Sequence, residues 1–106
     1  MSSPKRRLIV AATARQDVRG ILLYILQQWG ATQRTRYKSE IDAAFSLIID
    51  HPFIGTSRNE LGAEMRSRLI GQQGQHIIYY RVEPAVVRVL RVMHVKMDAS
   101  VELLAE

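Results

Sequence analysis

The spacing of apolar residues changes along the chain, and each change predicts a different element. Residues 8–11 form a short apolar run that predicts a strand. Over residues 18–29 the apolar positions recur every three or four residues, which indicates a helix with one apolar face. Thr13 and Gln16 have the spacing of a capping box at the start of this helix, and Gly30 predicts its end.

A second apolar stripe of helical period covers residues 37–48. Thr32 is the predicted N-cap of this helix, and His51-Pro52 ends it because proline disfavours a helical conformation in the residue before it. Residues 52–62 are rich in turn formers and predict a loop. The break between the two helices is only one or two residues long, so we expect an antiparallel helical hairpin whose apolar faces cover a common surface.

The last third of the chain predicts a sheet, which provides the surface that the two helices cover. Residues 65–70 alternate in polarity as a half-exposed strand does, and a glycine-containing turn follows at 71–74. Residues 76–82 and 86–98 are rich in β-branched and aromatic side chains and flank the break Glu83-Pro84-Ala85, which is typical of a β-hairpin. We therefore predict an α+β fold: an N-terminal strand, an antiparallel helical hairpin packed on a mostly antiparallel sheet completed by three C-terminal strands, and a short C-terminal tail with helical character.

Composition narrows the function classes. The 106 residues, 47% hydrophobic and 24% charged, suit a single globular domain spanning residues 1–106. The chain has no cysteine, which excludes disulfides and cysteine zinc sites and fits a reducing cytoplasm. Its N-terminal apolar run is too short for a signal-peptide core, and no segment approaches the ~20 apolar residues of a membrane span. We therefore expect a cytoplasmic protein without a membrane partner.

The charge of the chain indicates an anionic partner. Fifteen basic residues against ten acidic ones give a net charge of +5, and 12 of the basic residues are arginine, which binds carboxylates and phosphates through two parallel hydrogen bonds. Arginines recur in the predicted strands at Arg66, Arg68, Arg81, Arg88 and Arg91, where they suit either RNA phosphates or an acidic peptide. Strict alternation along a strand places Arg88 and Arg91 on opposite faces, which weakens the nucleic-acid interpretation.

The chain carries no strong catalytic motif such as a phosphate-binding glycine loop, a His-Glu-x-x-His pair or a glycine-flanked serine. His51, His76 and His94 fall on different predicted elements, so we expect no metal site. His94, at the end of the last strand beside Lys96, has a side chain suited to general acid or base chemistry near neutral pH. The alternative is a strand-end histidine that bonds to the backbone or contacts a partner.

Several short motifs, spread over nearly the whole chain, resemble those of the ParE toxins in the RelE/ParE toxin superfamily. The N-terminal half is similar in Thr13-Ala14, Asp17-Val18, Trp29-Gly30 and residues 51–55, and the C-terminal half in Glu60-Leu61, Arg66, residues 74–82, residues 89–94 and Met97-Asp98. This resemblance implies the fold already predicted and the toxin component of a type II toxin–antitoxin pair.

The resemblance leaves two modes of action. ParE-like members inhibit DNA gyrase by stabilising its cleaved-DNA complex and so block replication, whereas RelE-like members cut messenger RNA on the ribosome. The nuclease branch relies on basic residues on the sheet face with a tyrosine or histidine near the C-terminus. This chain has one lysine, Lys96, in its sheet half, and Val95 rather than an aromatic residue follows His94. The resemblance therefore favours a gyrase inhibitor that binds without catalysing a reaction.

Three sets of candidate site residues follow from the resemblance and the charge. The target-binding candidates lie at the C-terminal strand end and are Arg91, His94, Lys96, Met97 and Asp98. Under the nuclease alternative, the catalytic candidates are Arg66, Arg81 and His94. The candidates for binding an acidic antitoxin segment, which we expect to fold as it enters an apolar groove between helices and sheet, are Arg66, Arg81 and Arg88. We expect no metal, no other cofactor and no sequence-specific DNA binding, since toxins of this kind leave operator binding to the antitoxin.

Overall fold

Two helices pack on one face of a five-stranded sheet in the computed structural model, which describes residues 5–97 and 99–104. The strands are β1 (Arg7–Val10), β2 (Thr56–Ser57), β3 (Met65–Leu69), β4 (His76–Val82) and β5 (Val86–His94). The helices are α1 (Ala12–Trp29), α2 (Ala31–Asp50) and α3 (Ala99–Leu104), with 3-10 turns at Pro52–Ile54 and Asn59–Leu61. The predicted α+β class and the predicted order of elements are confirmed, and the structure adds β2 within the predicted loop.

The strands are arranged in the order β1-β5-β4-β3-β2. β1 pairs with β5 in parallel, and all other neighbouring strands are antiparallel. The N-terminal strand therefore lies beside the last strand of the chain. Parallel neighbours need a long crossover connection, and the helical hairpin forms the first part of this one.

The helices begin differently from the sequence prediction. Ala11 is the N-cap of α1 and provides no side-chain cap, so the predicted capping box at Thr13 is wrong. The Thr13 hydroxyl instead donates a hydrogen bond of 3.3 Å to the carbonyl oxygen of Leu90. Gly30 ends α1, as predicted, and directly precedes α2, so the predicted cap at Thr32 is also wrong. Gly30 has a φ of 93°, a conformation that favours glycine and allows the sharp turn between the helices.

The larger of two apolar cores lies between the helical hairpin and the sheet. It buries residues from the predicted stripes of both helices together with alternate strand residues, among them Leu22, Ile41, Ile48, Ile78, Tyr80, Val87, Val89 and Val92. A smaller cluster on the opposite face packs α3 against the sheet and includes Met65, Tyr79, Met93 and Ala99. The hairpin therefore covers one face of the sheet, and α3 covers part of the other.

A β-bulge in β5 changes which of its residues share a face. The register between β4 and β5 shifts next to Tyr79, and Leu90 has no partner in β4. Arg88 is registered with Arg81, and Arg91 is registered with Tyr79. Because Tyr79 and Arg81 are two residues apart on β4, they lie on the same face of the sheet. The prediction that Arg88 and Arg91 lie on opposite faces is therefore wrong, since the extra residue interrupts the alternation.

Candidate functional site

A groove of about 790 Å³ opens between the helical hairpin and the end of the sheet where β4 begins and β5 ends. Its lining includes Tyr24 and Trp29 from α1, Arg36, Tyr37 and Glu40 from α2, and His76 and His94 from the sheet. The turn between β3 and β4 closes one side with Gln73, Gly74 and Gln75. This volume falls within the range of protein clefts that bind ligands or peptide segments.

A chain of three polar rings connects α2 to the sheet inside this groove. The Tyr37 hydroxyl lies 2.7 Å from Nδ1 of His76. His76 and His94 are cross-strand partners, and their rings meet edge to face with centroids 5.3 Å apart. Burial, together with the neighbouring His94, lowers the pKa of His76, and burial with the nearby Glu40 raises the pKa of Tyr37 to about 12. At neutral pH, His76 and Tyr37 are therefore uncharged.

Two histidines that the sequence places on different elements thus come together. A metal site would need at least one further ligand, and the part of the chain that the structure describes holds no group of three or more histidine, aspartate or glutamate side chains placed to bind a metal ion. Within the same residues, no helix is both long and apolar enough to cross a membrane.

His94 also organises the turn that follows β5. Its Nδ1 accepts a hydrogen bond of 3.1 Å from the backbone N–H of Lys96, and its carbonyl oxygen accepts one of 3.0 Å from the N–H of Met97. The N–H of Val95 donates to the carbonyl oxygen of Gln75 at 2.9 Å. These bonds hold two target-binding candidates, Lys96 and Met97, at the exposed surface. The remaining candidate in this segment, Asp98, lies outside the described residues.

Arg91, the first of the target-binding candidates, takes part in an ion pair within the fold. Its Nε and Nη2 donate to the two carboxylate oxygens of Asp17, at 2.8 and 2.9 Å. The Asp17 carboxylate also accepts the backbone N–H of Val92 at 2.9 Å. The two paired side chains are only 14% and 15% exposed. The ion pair therefore fastens α1 to β5 and leaves little of Arg91 at the surface.

The three antitoxin-binding candidates occupy two faces of the sheet. Arg81 and Arg88 are direct cross-strand partners, and Arg88 donates two hydrogen bonds to Glu83, at 2.7 and 3.2 Å. These bonds lower the pKa of the Glu83 carboxyl. Arg66 is registered with Tyr80, a member of the helix-side core, and donates to two backbone carbonyl oxygens of the loop after α2. Arg81 and Arg88 thus form one basic site, and Arg66 lies apart from it.

The catalytic candidates of the nuclease alternative do not come together. His94 is registered with His76 at one end of the β4–β5 ladder, and Arg81 is registered with Arg88 near the other end. His76 and Arg81 are five residue steps apart on β4, which corresponds to about 16 Å at ~3.3 Å per residue. Arg66 lies on the opposite face of the sheet from Arg81. These three side chains therefore do not form an acid–base set.

Several groove residues are not among the candidate site residues of the sequence analysis, including Tyr24, Arg36 and His76. Trp29 ends the predicted apolar stripe of α1, yet 69% of its surface is exposed because this turn of the helix lines the groove. Helical periodicity does not distinguish an aromatic residue at the rim of a cleft from one in the core. The signal in the sequence is therefore too general to identify this surface.

The fold and the site define a small α+β domain in which a helical hairpin and the end of a mostly antiparallel sheet enclose a groove. The chain shares its fold with a solved chain described as "Chromosomal ParDE TA system from P. aeruginosa", with a TM-score of 0.75 over 89% of this chain and 100% of that one, at 16% sequence identity. The family described as ParE toxin of type II toxin-antitoxin system, parDE, matches residues 8–99. Toxin ParE1 of Caulobacter vibrioides is 33% identical over 90 residues, which cover 85% of this chain and 90% of that toxin. The chain therefore belongs to the ParE toxin family of type II toxin–antitoxin systems, in agreement with the motifs of its sequence.

Proposed function

We propose that this ParE-family toxin acts in the cytoplasm by binding DNA gyrase and blocking replication, rather than by cutting messenger RNA. A nuclease needs an acid, a base and a phosphate-binding group within reach of one bond. The observation that supports binding without catalysis is the separation of Arg66, Arg81 and His94 over two faces and two ends of the sheet.

We propose that gyrase contacts the strand-end turn, which is the turn at residues 95–97 that follows β5. Lys96 and Met97 are exposed, and hydrogen bonds to His94 hold their backbone in place. A turn that is ordered before binding loses less conformational entropy when a partner docks. Arg91 supports this surface indirectly, because its ion pair with Asp17 fixes β5 against α1.

The gyrase proposal is tested by incubating purified toxin with gyrase, ATP and relaxed plasmid and separating the products on a gel. We expect supercoiling to stop and linear DNA to accumulate, and the cognate antitoxin added first should prevent both effects. If a toxin truncated after Val95 folds normally and still inhibits gyrase at full strength, the strand-end turn is not part of the interface. No inhibition at a large molar excess of toxin, combined with ribosome-dependent cleavage of messenger RNA, would contradict the proposal and support the nuclease alternative.

We further propose that the cognate antitoxin neutralises the toxin by placing acidic side chains against Arg81 and Arg88. Like charges directly opposite each other on two strands destabilise a sheet, and Glu83 offsets one of these two charges. An additional carboxylate from a partner is therefore favourable, and the net charge of +5 accelerates the encounter with an acidic chain.

Isothermal titration with the cognate antitoxin tests this contact. Arg81→Ala and Arg88→Ala should each weaken binding by about tenfold, the loss expected for one charged hydrogen bond at an interface. Arg19→Ala, at an exposed position on α1, is the control and should leave the affinity unchanged. Wild-type affinity in both sheet variants would contradict the electrostatic part of the proposal.

A further inference from the structure

A hydrogen bond from the backbone to a histidine ring holds the strand-end turn. Nδ1 of His94 accepts the backbone N–H of Lys96 at 3.1 Å. An imidazole nitrogen accepts a hydrogen bond only while it carries no proton, so the proton of the neutral His94 ring lies on Nε2. His94 is partly buried and Lys96 is exposed, so water reaches this bond. One hydrogen bond of the turn therefore depends on the protonation state of a single ring nitrogen.

The neighbouring hydrogen bond of His76 differs in this respect. Its Nδ1 lies 2.7 Å from the Tyr37 hydroxyl, a group that can either donate or accept. If Nδ1 of His76 gains a proton, the hydroxyl can rotate and accept it, so this bond survives protonation. A backbone N–H only donates, and a protonated imidazole only donates as well. Of the two bonds, the one between His94 and Lys96 is therefore the one that protonation must break.

The groups around His94 favour it as the ring that responds to acid. The rings of His76 and His94 meet edge to face with centroids 5.3 Å apart, and two positive charges at this distance disfavour each other. Burial, together with His94, lowers the pKa of His76, so protonation of His76 is disfavoured. The other titratable or charged side chains that line the groove beside them are Tyr24 from α1 and Arg36, Tyr37 and Glu40 from α2, and Lys96 lies in the turn itself.

We propose that His94 is a pH-dependent switch of the strand-end turn. Its neutral ring holds the backbone N–H of Lys96, and its protonated ring releases this N–H because both groups are then donors. The switch is a property of the toxin alone and does not depend on what the toxin binds.

The release is confined to the middle of the turn. The N–H of Val95 still donates to the carbonyl oxygen of Gln75 at 2.9 Å, and the N–H of Met97 still donates to the carbonyl oxygen of His94 at 3.0 Å. Neither of these bonds involves a titratable group. The end of the β4–β5 ladder therefore stays closed while the backbone at Lys96 loses one of its restraints.

NMR spectroscopy of the isotope-labelled toxin from pH 8 to pH 5 tests the switch, because histidine side chains change charge within this range. The ring nitrogens of His94 report its protonation, and the exchange of backbone amide protons with water reports their hydrogen bonds. We expect the Lys96 amide to exchange about fivefold to tenfold faster, relative to its intrinsic rate, once His94 is protonated, the factor for one lost hydrogen bond. The Val95 amide should keep its protection.

Three histidine variants separate the switch from other effects of acid. In His94→Gln, the titrating ring is gone, and the relative exchange rate of the Lys96 amide should no longer depend on pH. His76→Gln leaves the switch in place, so this amide should still lose protection in acid. His51→Gln, at the exposed C-cap of α2, is the matched control and should behave like the wild type. Circular dichroism with thermal unfolding checks that each variant is folded.

Three results would overturn the inference. A Lys96 amide that keeps its protection while the His94 ring becomes protonated would show that the ring does not hold the backbone. A Lys96 response that persists in His94→Gln would assign it to another group. A His94 ring that stays neutral over the whole titration would exclude a switch in this pH range. The first and third results come from the wild-type protein, so the test does not depend on the folding of a variant.

Discussion

The Asp17 carboxylate accepts three hydrogen bonds that link α1 to β5, and Asp17→Ala measures how much they stabilise the fold. Two of them come from Arg91 and one from the backbone of Val92, at 2.8 to 2.9 Å. Asp17 and Arg91 are 74 residues apart in the chain, so the contact joins its two ends. The substitution removes all three acceptor contacts and leaves both apolar cores intact.

The expected loss follows from the burial and the number of these bonds. A hydrogen bond to a charged group contributes about 1.5–3 kcal/mol, but bonds that share one carboxylate do not add. Breaking a fully buried ion pair costs about 3–5 kcal/mol. The two side chains are 14% and 15% exposed, so water recovers part of the loss. We therefore expect Asp17→Ala to lower the free energy of unfolding by about 3 kcal/mol, out of the roughly 5–15 kcal/mol of a typical domain.

Urea unfolding of a double-mutant cycle with Asp17→Ala and Arg91→Ala tests this value, and we expect a coupling energy of about 2 kcal/mol. The ion pair of Lys38 and Asp42 on α2 is the control, because both side chains are more than half exposed. Asp42→Ala should therefore cost no more than about 0.5 kcal/mol. A coupling energy below about 0.5 kcal/mol for the first pair would refute the conclusion that it fastens α1 to the sheet.

Three further predictions concern packing and pH. Gly55→Ala should destabilise the fold by about 2 kcal/mol or more, because the added Cβ atom would overlap the Tyr80 hydroxyl. Gly20→Ala, in open space on α1, should instead stabilise the fold by about 0.5–1 kcal/mol. Thermal unfolding measures both variants, and equal effects would contradict the packing argument. Tyr80→Phe should cost about 1–3 kcal/mol in urea unfolding because the buried N–H of Gly55 loses its acceptor, and an unchanged midpoint would count against that bond. The free energy of unfolding should decrease as the pH falls below 6.5, because the pKa of His76 is lower in the folded protein and the unfolded chain therefore takes up the proton first. His76→Gln should reduce the dependence of the free energy of unfolding on pH. An identical pH profile in this variant would exclude His76 as the cause.

The outcome for the helices shows where local sequence reasoning is reliable. Their C-terminal ends and apolar faces are confirmed, since a helical stripe depends on residues only three or four positions apart. Both predicted caps are wrong for a tertiary reason. The Thr13 hydroxyl bonds to a carbonyl oxygen of β5 that is 77 residues away, and Gly30 leaves no room for a separate cap between the two helices.

The candidate site was only partly predictable for a similar reason. His94 was identified because it ends an obvious strand, and its neighbours Lys96 and Met97 do lie at the surface. The opposite side of the groove comes from Tyr24 and Trp29, which are about 70 residues earlier in the chain than His94. Trp29 has the spacing of an ordinary core residue, and Tyr24 lies outside the predicted apolar stripe. No local pattern relates these two segments.

By itself, the sequence determined the fold class, the order of elements, the helical hairpin, the β4–β5 hairpin and the family, because these depend on spacing and motifs between neighbouring residues. Only the tertiary structure decided that β1 lies beside β5, that a bulge brings Arg88 and Arg91 to one face, and that Arg91 pairs with Asp17. It also decided that the ends of α1 and β5 form one groove. Each of these features is a contact between distant residues, and its stability depends on the packing of the whole sheet rather than on the segments that supply it.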